Sequence, residues 1–218
     1  MSIQTMLISL TQGFWLTFVI FILTLLFSLP LGFVVALGRM SKCKPLQLIV
    51  KAYISIMRGT PLMLQMMVVY FGPNLIFHVA LPGNWRLTAV VIAFVLNYAA
   101  YFAEIYRGGI EAMPKGQYEA AEILGYSKLQ TFMKIILPQV IKNILPAVTN
   151  EIIVLVKDTS LAYAIGCVEM FTRAKQIAVA PNSPGMWAFV AAGVFYYVFN
   201  FVVALIMEKC EKKLSYYR

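Results

Sequence analysis

The first 38 residues, MSIQTMLISLTQGFWLTFVIFILTLLFSLPLGFVVALG (Met1–Gly38), contain no charged side chain. A helix needs about 20 predominantly apolar residues to cross the hydrocarbon core of a bilayer, and a buried helix of a soluble domain rarely runs so far without a charge. A second charge-free stretch covers Gln176–Met207. The whole chain of 218 residues is 61% hydrophobic and only 12% charged, about half the charged share of a soluble domain. These features predict an all-α integral membrane protein built as one domain over 1–218.

Five spans fit the pattern, at approximately 14–38, 53–77, 87–106, 135–156 and 186–207. The second contains Arg58 and Pro61, and the fourth contains Pro138, Lys142, Pro146 and Glu151. Polar groups and prolines are tolerated inside a span where they face protein or water. No basic residue precedes the first span, so it is expected to be retained as a span and not removed as a signal peptide.

Basic residues set the expected orientation. Arg39, Lys42, Lys44 and Lys51 lie in the first loop, Arg107, Lys115, Lys128 and Lys134 in the third, and Lys209, Lys212, Lys213 and Arg218 in the tail. The opposite side holds only Arg86, Arg173 and Lys175. Basic segments stay inside, which predicts an N-terminus out and a C-terminus in. The net charge of +9 then reflects topology and contact with anionic membrane lipid. A nucleic-acid partner is not expected, because the positive charge is divided among three short segments. Cys43, Cys167, Cys210 and His78 show no metal-ligand spacing, so no metal is expected.

The third loop holds EAAEILGYSKLQTFMKIILPQ (Glu119–Gln139), which reads as a short water-compatible helix, a stop and a restart. Pro114 suits a first helical turn, with Tyr118, Ala121 and Leu124 on one stripe. Gly125 is placed for a left-handed cap. Ser127 and Gln130 form an S-x-x-Q capping box. A helix over 114–125 is therefore joined by a sharp elbow to the fourth span. The plain reading is an amphipathic interfacial helix. The alternative is a docking element, in which Ala120 and Ala121 admit another surface while Glu119 and Glu122 offer charge to a basic partner.

Polar residues also recur at helical spacing inside the spans. Asn97, Tyr101, Glu104 and Gly108 share one face, as do Asn143, Ala147, Asn150, Val154 and Lys157, with Glu151 and Asp158 beside them. Ser55, Arg58, Leu62 and Gln65 align in the second span. An ionisable group at mid-bilayer costs about 2.5–3.5 kcal/mol on insertion scales. These faces fit either a hydrated substrate path or hydrogen bonds between helices; Arg58 and Lys157 are close enough to span ends to snorkel. Between the last spans, Asp158 or Thr159 can cap a helix through Leu161, Ile165 and Val168 towards Arg173, and APNSPG (180–185) reads as a turn.

EAAEILG followed by IILPQ resembles the EAA loop of ABC-importer permeases. RGTPLMLQ (58–65), AYFAEIYRGGIEAMPKGQYEAA (100–121) and VKDTSLAYAIG (156–166) are similar to the polar amino-acid uptake branch of that family, the histidine/glutamine type. The resemblance implies a permease subunit of the plasma (inner) membrane of a prokaryote, working as a dimer with a second permease subunit of the same or homologous sequence. The third-loop helix would be the coupling helix, with Glu119, Ala120, Ala121, Glu122 and Gly125 engaging a cytoplasmic ABC ATPase homodimer. An extracytoplasmic amino-acid-binding protein would deliver the substrate. The chain itself would bind no cofactor and catalyse nothing, ATP being used by the partner; no G-x-x-x-x-G-K-[ST] phosphate loop is present. Asn97, Tyr101, Glu104, Asn150, Glu151, Gln65, Arg58, Lys157 and Asp158 are the candidate substrate path. A self-sufficient secondary carrier or channel, with Glu104 and Glu151 as proton sites, and a membrane scaffold are the competing readings.

Overall fold

A computed structural model describes residues 2–181 and 183–214. Asn182 of the 180–185 turn and Arg218 of the basic tail lie outside the described residues. Among the described residues the structure is all-helical: four helices are long and apolar enough to cross a membrane, or up to five if a bent pair forms one span.

Helix α1 (Ile3–Arg39) begins under Ser2, whose side chain accepts from the Thr5 amide. At 37 residues and 1.5 Å per residue it is about 55 Å long, well beyond the bilayer core. Its N-terminal turns pack beside later helices, where Met6 and Leu10 meet Met170, Ala174, Ile177, Ala188 and Ala192. Its C-terminal half runs parallel to α4 (Trp85–Glu111). A Cβ on Gly32 would lie 2.8 Å from the Phe102 Cβ and 3.1 Å from the Ala99 carbonyl. Close backbone approach through small residues is how helices associate in lipid, where apolar burial discriminates little.

The second predicted span is not one straight helix. Helix α2 (Lys44–Gly59) and α3 (Leu62–Phe77) meet at 108°. Pro61 supplies no amide hydrogen, and Thr60 before it is extended at φ −124°, ψ 149°, as the residue preceding a proline prefers. The break lies level with Asn97, half-way along α4. Tyr53 and Trp85 tie the broken pair to α4: the Tyr53 hydroxyl donates to the Leu96 carbonyl and the Trp85 indole to the Tyr70 carbonyl.

Helix α5 (Lys115–Ile123), α6 (Lys128–Thr131) and a π-helical turn at Phe132–Ile136 lead into α7 (Leu137–Asp158). Pro138 cannot donate to the Lys134 carbonyl, and the adjoining turn takes the wider register. Helix α7 runs antiparallel to α4, with Ile144 against Gly109 at one end and Asp158 bonded to Tyr98 towards the other. The single helix expected after Asp158 is replaced by two. A 3-10 turn at Thr159–Ile165 stops at Gly166, which is left-handed at φ 71°, and α8 (Met170–Val179) starts afresh. Helix α9 (Trp187–Lys213) returns along α1 and α7, and Thr149 donates to Glu211 at 2.9 Å.

Candidate functional site

Two features stand apart from ordinary helix packing: a polar cluster around the α2–α3 break, and the exposed elbow at α5.

At the break, the amide groups of Asn97 and Gln65 replace the missing helical hydrogen bonds. Asn97 Nδ2 donates to the Met57 carbonyl and to Gln65 Oε1, each at 2.9 Å. Gln65 Nε2 donates to the Met57 and Thr60 carbonyls and to Thr60 Oγ1. Asn97 is 4% exposed, so its amide is committed to holding the interrupted span. An unpaired carbonyl at this depth would cost several kcal/mol, roughly. Half-helix ends inside a membrane are tolerated where neighbouring side chains re-satisfy the backbone in this way.

Arg58, on the last turn of α2, lies 5.3 Å from the Tyr101 ring centroid. Glu104, one turn further along α4, sits among three guanidinium groups. Arg107 binds it with two hydrogen bonds of 2.7 and 3.1 Å, while Arg39 and Arg58 each lie 3.9 Å away. Arg107 also reaches Glu111. Glu104 is thus held by arginines from α1, α2 and α4, and its charge is neutralised locally. Across the cluster, the Tyr98 hydroxyl donates to Asp158 Oδ2 at 2.8 Å. Glu151 lies within electrostatic reach of both Asp158 and Arg58. Arg58, Tyr101, Glu151 and Asp158 therefore surround one region, with Tyr98 behind them. Asn150 and Lys157 are exposed on α7 and make none of these hydrogen bonds, although Lys157 bears electrostatically on Asp158; Asn143, on the same exposed face, reaches the Met113 sulfur, at 3.8 Å.

Sequence reading overlooked Tyr98, Arg39 and Arg107. Arg107 had a legible signal, since Glu104, Arg107 and Glu111 stand three and four apart. Tyr98 had none, because it lies off the stripe that Asn97 and Tyr101 suggested.

The elbow is built from local bonds. Gly125 has φ 79°, its amide donates to the Glu122 carbonyl at 2.9 Å, and the Tyr126 amide donates to the Ala121 carbonyl at 3.0 Å. This pair is the Schellman arrangement. Ser127 then accepts from the Gln130 amide while Gln130 Oε1 accepts from the Ser127 amide, completing the capping box. Pro114 stands just before the helix in an extended conformation and not within its first turn. Ala121 is 1% exposed and belongs to the elbow's interior, whereas Glu119, Ala120 and Glu122 are exposed. Leu124, on one stripe with Tyr118 and Ala121, is 72% exposed and Ile123 beside it 86%: α5 turns an apolar tip outward at its end.

At the opposite end of the bundle, Glu169 starts α8. It is completely buried and accepts from the Phe171 and Thr172 amides, the Thr172 hydroxyl and the Tyr196 hydroxyl. Burial holds its carboxyl above the usual value, against the lowering effect of those bonds. The neighbouring Cys167 thiol is pushed up to about 11 by burial, with Glu169 adding to the effect, so it stays protonated and inert at neutral pH. Among the described residues no group of three or more His, Cys, Asp or Glu side chains could hold a metal ion.

Residues 28–216 match the family described as binding-protein-dependent transport system inner membrane component. The arginine transport system permease protein of Bacillus subtilis is 37% identical over 204 residues, covering 94% of this chain and 91% of that protein. The L-cystine transport system permease protein of the same organism is 35% identical over 209 residues, covering 95% and 87%. The nopaline transport system permease protein of Agrobacterium fabrum is 40% identical over 200 residues, covering 87% and 83%. Among solved structures, an amino acid ABC transporter crystallised with histidines matches with a TM-score of 0.85 at 31% identity, covering 98% of this chain and 99% of its own. The MetNI methionine ABC transporter shares the fold, with a TM-score of 0.72 at 18% identity over 98% of this chain and 99% of its own.

Proposed function

Since the chain belongs to the binding-protein-dependent transport system inner membrane component family, we propose that its two polar features divide the work of an importer between them. It is a multi-pass permease of a bacterial inner membrane, the transmembrane component of an ABC amino-acid importer. Its ATPase is a separate subunit and its substrate comes from a binding protein. The chain itself has no catalytic role and binds no cofactor.

The chain acts as one domain with its N-terminus outside and its C-terminus inside. The substrate is a polar amino acid. Arg58 meets its carboxylate, Glu151 and Asp158 meet its ammonium group, and Tyr101 and Tyr98 line the passage. Gln65 and Asn97 keep the broken span open at that level, and Glu104 holds Arg58 by charge. The exposed α7 face with Asn143, Asn150 and Lys157 meets a second permease subunit, the same or homologous, so that the path runs between two copies. Elbow residues Glu119, Ala120 and Glu122 contact a homodimer of ATPases in the cytoplasm; Ala121 and Gly125 act by keeping the elbow rigid.

The observation that carries this reading is the elbow itself. A helix of nine residues is marginal alone in water, yet α5 is closed at its far end by the Gly125 cap and α6 is started at once by the Ser127–Gln130 box. It is joined through one rigid turn to the span that carries Glu151 and Asp158. Such a lever transmits displacement, where a flexible loop would absorb it. Reconstitution into proteoliposomes tests this. Uptake of labelled amino acid should need ATP, the ATPase and the binding protein together. Uptake driven by an ion gradient alone would point to a secondary carrier, and partner binding without any uptake would point to a scaffold.

A further inference from the structure

The bend between α2 and α3 leaves a groove that the polar cluster does not use. Ile56 and Thr60 at the end of α2, Leu64 and Val68 on α3, and Ala93 and Leu96 on α4 help to enclose about 320 Å³, a volume within the range of ligand sites. Its wall is almost wholly apolar, because the polar atoms of the break are spent on one another. Thr60 Oγ1 donates to the Ile56 carbonyl at 2.8 Å and accepts from Gln65 Nε2 at 2.7 Å. A hydrocarbon chain can lie there without leaving a backbone group unpaired, whereas a zwitterion would find no partner. Leu64 and Val68 are exposed, so the groove is open along its side.

Along α2 an apolar track leads from the groove back to the start of the helix. Leu46, Ile49, Tyr53 and Ile56 recur at steps of three and four on one flank, while Lys44, Lys51, Ser55 and Arg58 hold the opposite flank. Leu46, Ile49 and Ile56 are exposed and Tyr53 is half-buried. The helix rises about 18 Å from Lys44 to Ile56, a little more than half of a bilayer's hydrocarbon core, about 15 Å. A chain anchored at the membrane surface beside Lys44 therefore reaches the groove. Lys42, in the turn before α2, and Lys44 are exposed, and neither makes an ion pair among the described residues. No acidic residue precedes Glu104 in the chain, and Glu104 is engaged by three arginines.

We propose that the groove binds one acyl chain of an anionic phospholipid of the inner leaflet, whose headgroup is held at Lys42 and Lys44. The leaflet rests on the reading that places the start of α2 inside. A second permease copy fits the groove less well than lipid. At 100° per residue, Ala93 and Leu96 stand on the side of α4 opposite Tyr98 and Gly109, which meet α7, and it is the open face of α7 that is assigned to the second copy. A chain in the groove props the angle between α2 and α3, and with it the Asn97–Met57 bond beside Arg58. Uptake is therefore expected to depend on this lipid.

The test uses the full permease–ATPase complex in nanodiscs, with phosphatidylglycerol carrying a photoreactive diazirine at the end of one acyl chain. Photolysis should label segments 56–68 and 93–96 severalfold above the exposed α9 residues Val198 and Val202. Unlabelled phosphatidylglycerol should compete better than phosphatidylcholine. A lysine beside an anionic headgroup is worth about a fivefold preference, so Lys42→Gln with Lys44→Gln should cut that preference by about tenfold or more. Val68→Trp, at an exposed position, should block the groove: its labelling falls severalfold while that of α9 is unaltered, and stimulation of ATP-driven uptake by phosphatidylglycerol is lost. Val68→Ile should retain both, and co-purification with the ATPase should show that every variant assembles. Equal labelling of the groove and α9, equal competition by the two lipids, or undiminished groove labelling in Val68→Trp overturns the site. So does a disulfide between two Val68→Cys copies, which would show that a second permease covers the groove. Labelling of Cys43 by a membrane-impermeant maleimide on intact cells, in a Cys210→Ser background, would instead overturn the orientation and move the lipid to the outer leaflet.

Discussion

Replacing Gly125 isolates the mechanical role of the elbow. Its φ is 79°, and a Cβ added there would meet nothing within 4 Å. Any penalty therefore comes from the backbone and not from a clash. An ordinary L-residue in the left-handed region costs about 1–2 kcal/mol, asparagine less, and a β-branched residue about 2–3 kcal/mol. The last figure corresponds to about a 30- to 150-fold shift against the native turn. Opposing it are the bonds from Gly125 to Glu122 and from Tyr126 to Ala121, each worth about 0.5–1.5 kcal/mol net. The valine elbow should thus spend a comparable time broken and formed. ATP-driven uptake in proteoliposomes should rank Gly125 and Gly125→Asn above Gly125→Ala, with Gly125→Val lowest, while insertion and yield stay level. ATP hydrolysis per transported amino acid should rise in the same order as uptake falls. Wild-type coupling in Gly125→Val would refute the lever. So would an asparagine variant as poor as valine, which would place the cause in contacts of the side chain and not in the turn.

Asn97→Leu should destabilise the fold by about 1–3 kcal/mol, because the Met57 carbonyl and Gln65 Oε1 lose a donor in a dry environment; thermal unfolding in detergent reads this directly, and an unchanged midpoint would show that the break needs no support. Glu151→Gln should lower uptake by about tenfold or more while co-purification with the ATPase is retained; equal uptake would leave Glu151 a packing residue. The buried Glu169 carboxyl lies above its ordinary value of 4.5, so its contribution to stability is fully present below that value and lost as pH rises through the raised one. Wild-type melting temperature should therefore fall more between pH about 5 and about 8 than that of Glu169→Gln, and parallel curves would contradict the assignment. Gly32→Leu should cost about 1–3 kcal/mol by overpacking the α1–α4 seam, where a Cβ already comes within 2.8 Å of Phe102; an unaltered melting point would show that this seam can open.

The sequence by itself determined what depends on composition or on neighbours a few residues away. Charge-free runs made the chain a membrane protein whatever its packing, since a bilayer core admits little else. The Gly125 cap and the Ser127–Gln130 box were legible for the same reason: each bond closes within about six residues, and the residue types required are few. The second helix of the loop before α9 was missed because its cap, Glu169, looks like any charged residue until its burial is known. Tertiary structure alone decided that α2 and α3 part at 108°, that Asn97 is spent on Met57 and Gln65, and that Arg58 lies against Tyr101. It also decided that Ala121 faces inward and Glu169 meets Tyr196. These pairings join residues tens of positions apart, and they require the rotation and depth of each helix. In lipid both the bilayer-facing and the protein-facing sides of a span are apolar, so the pattern that orients a soluble helix is absent. Helix α9 shows it: Val198, Phe199 and Val202 are all apolar, and nothing in the sequence separates them. Only the packed molecule shows that Phe199 meets Phe14 and Phe21 while Val198 and Val202 remain exposed.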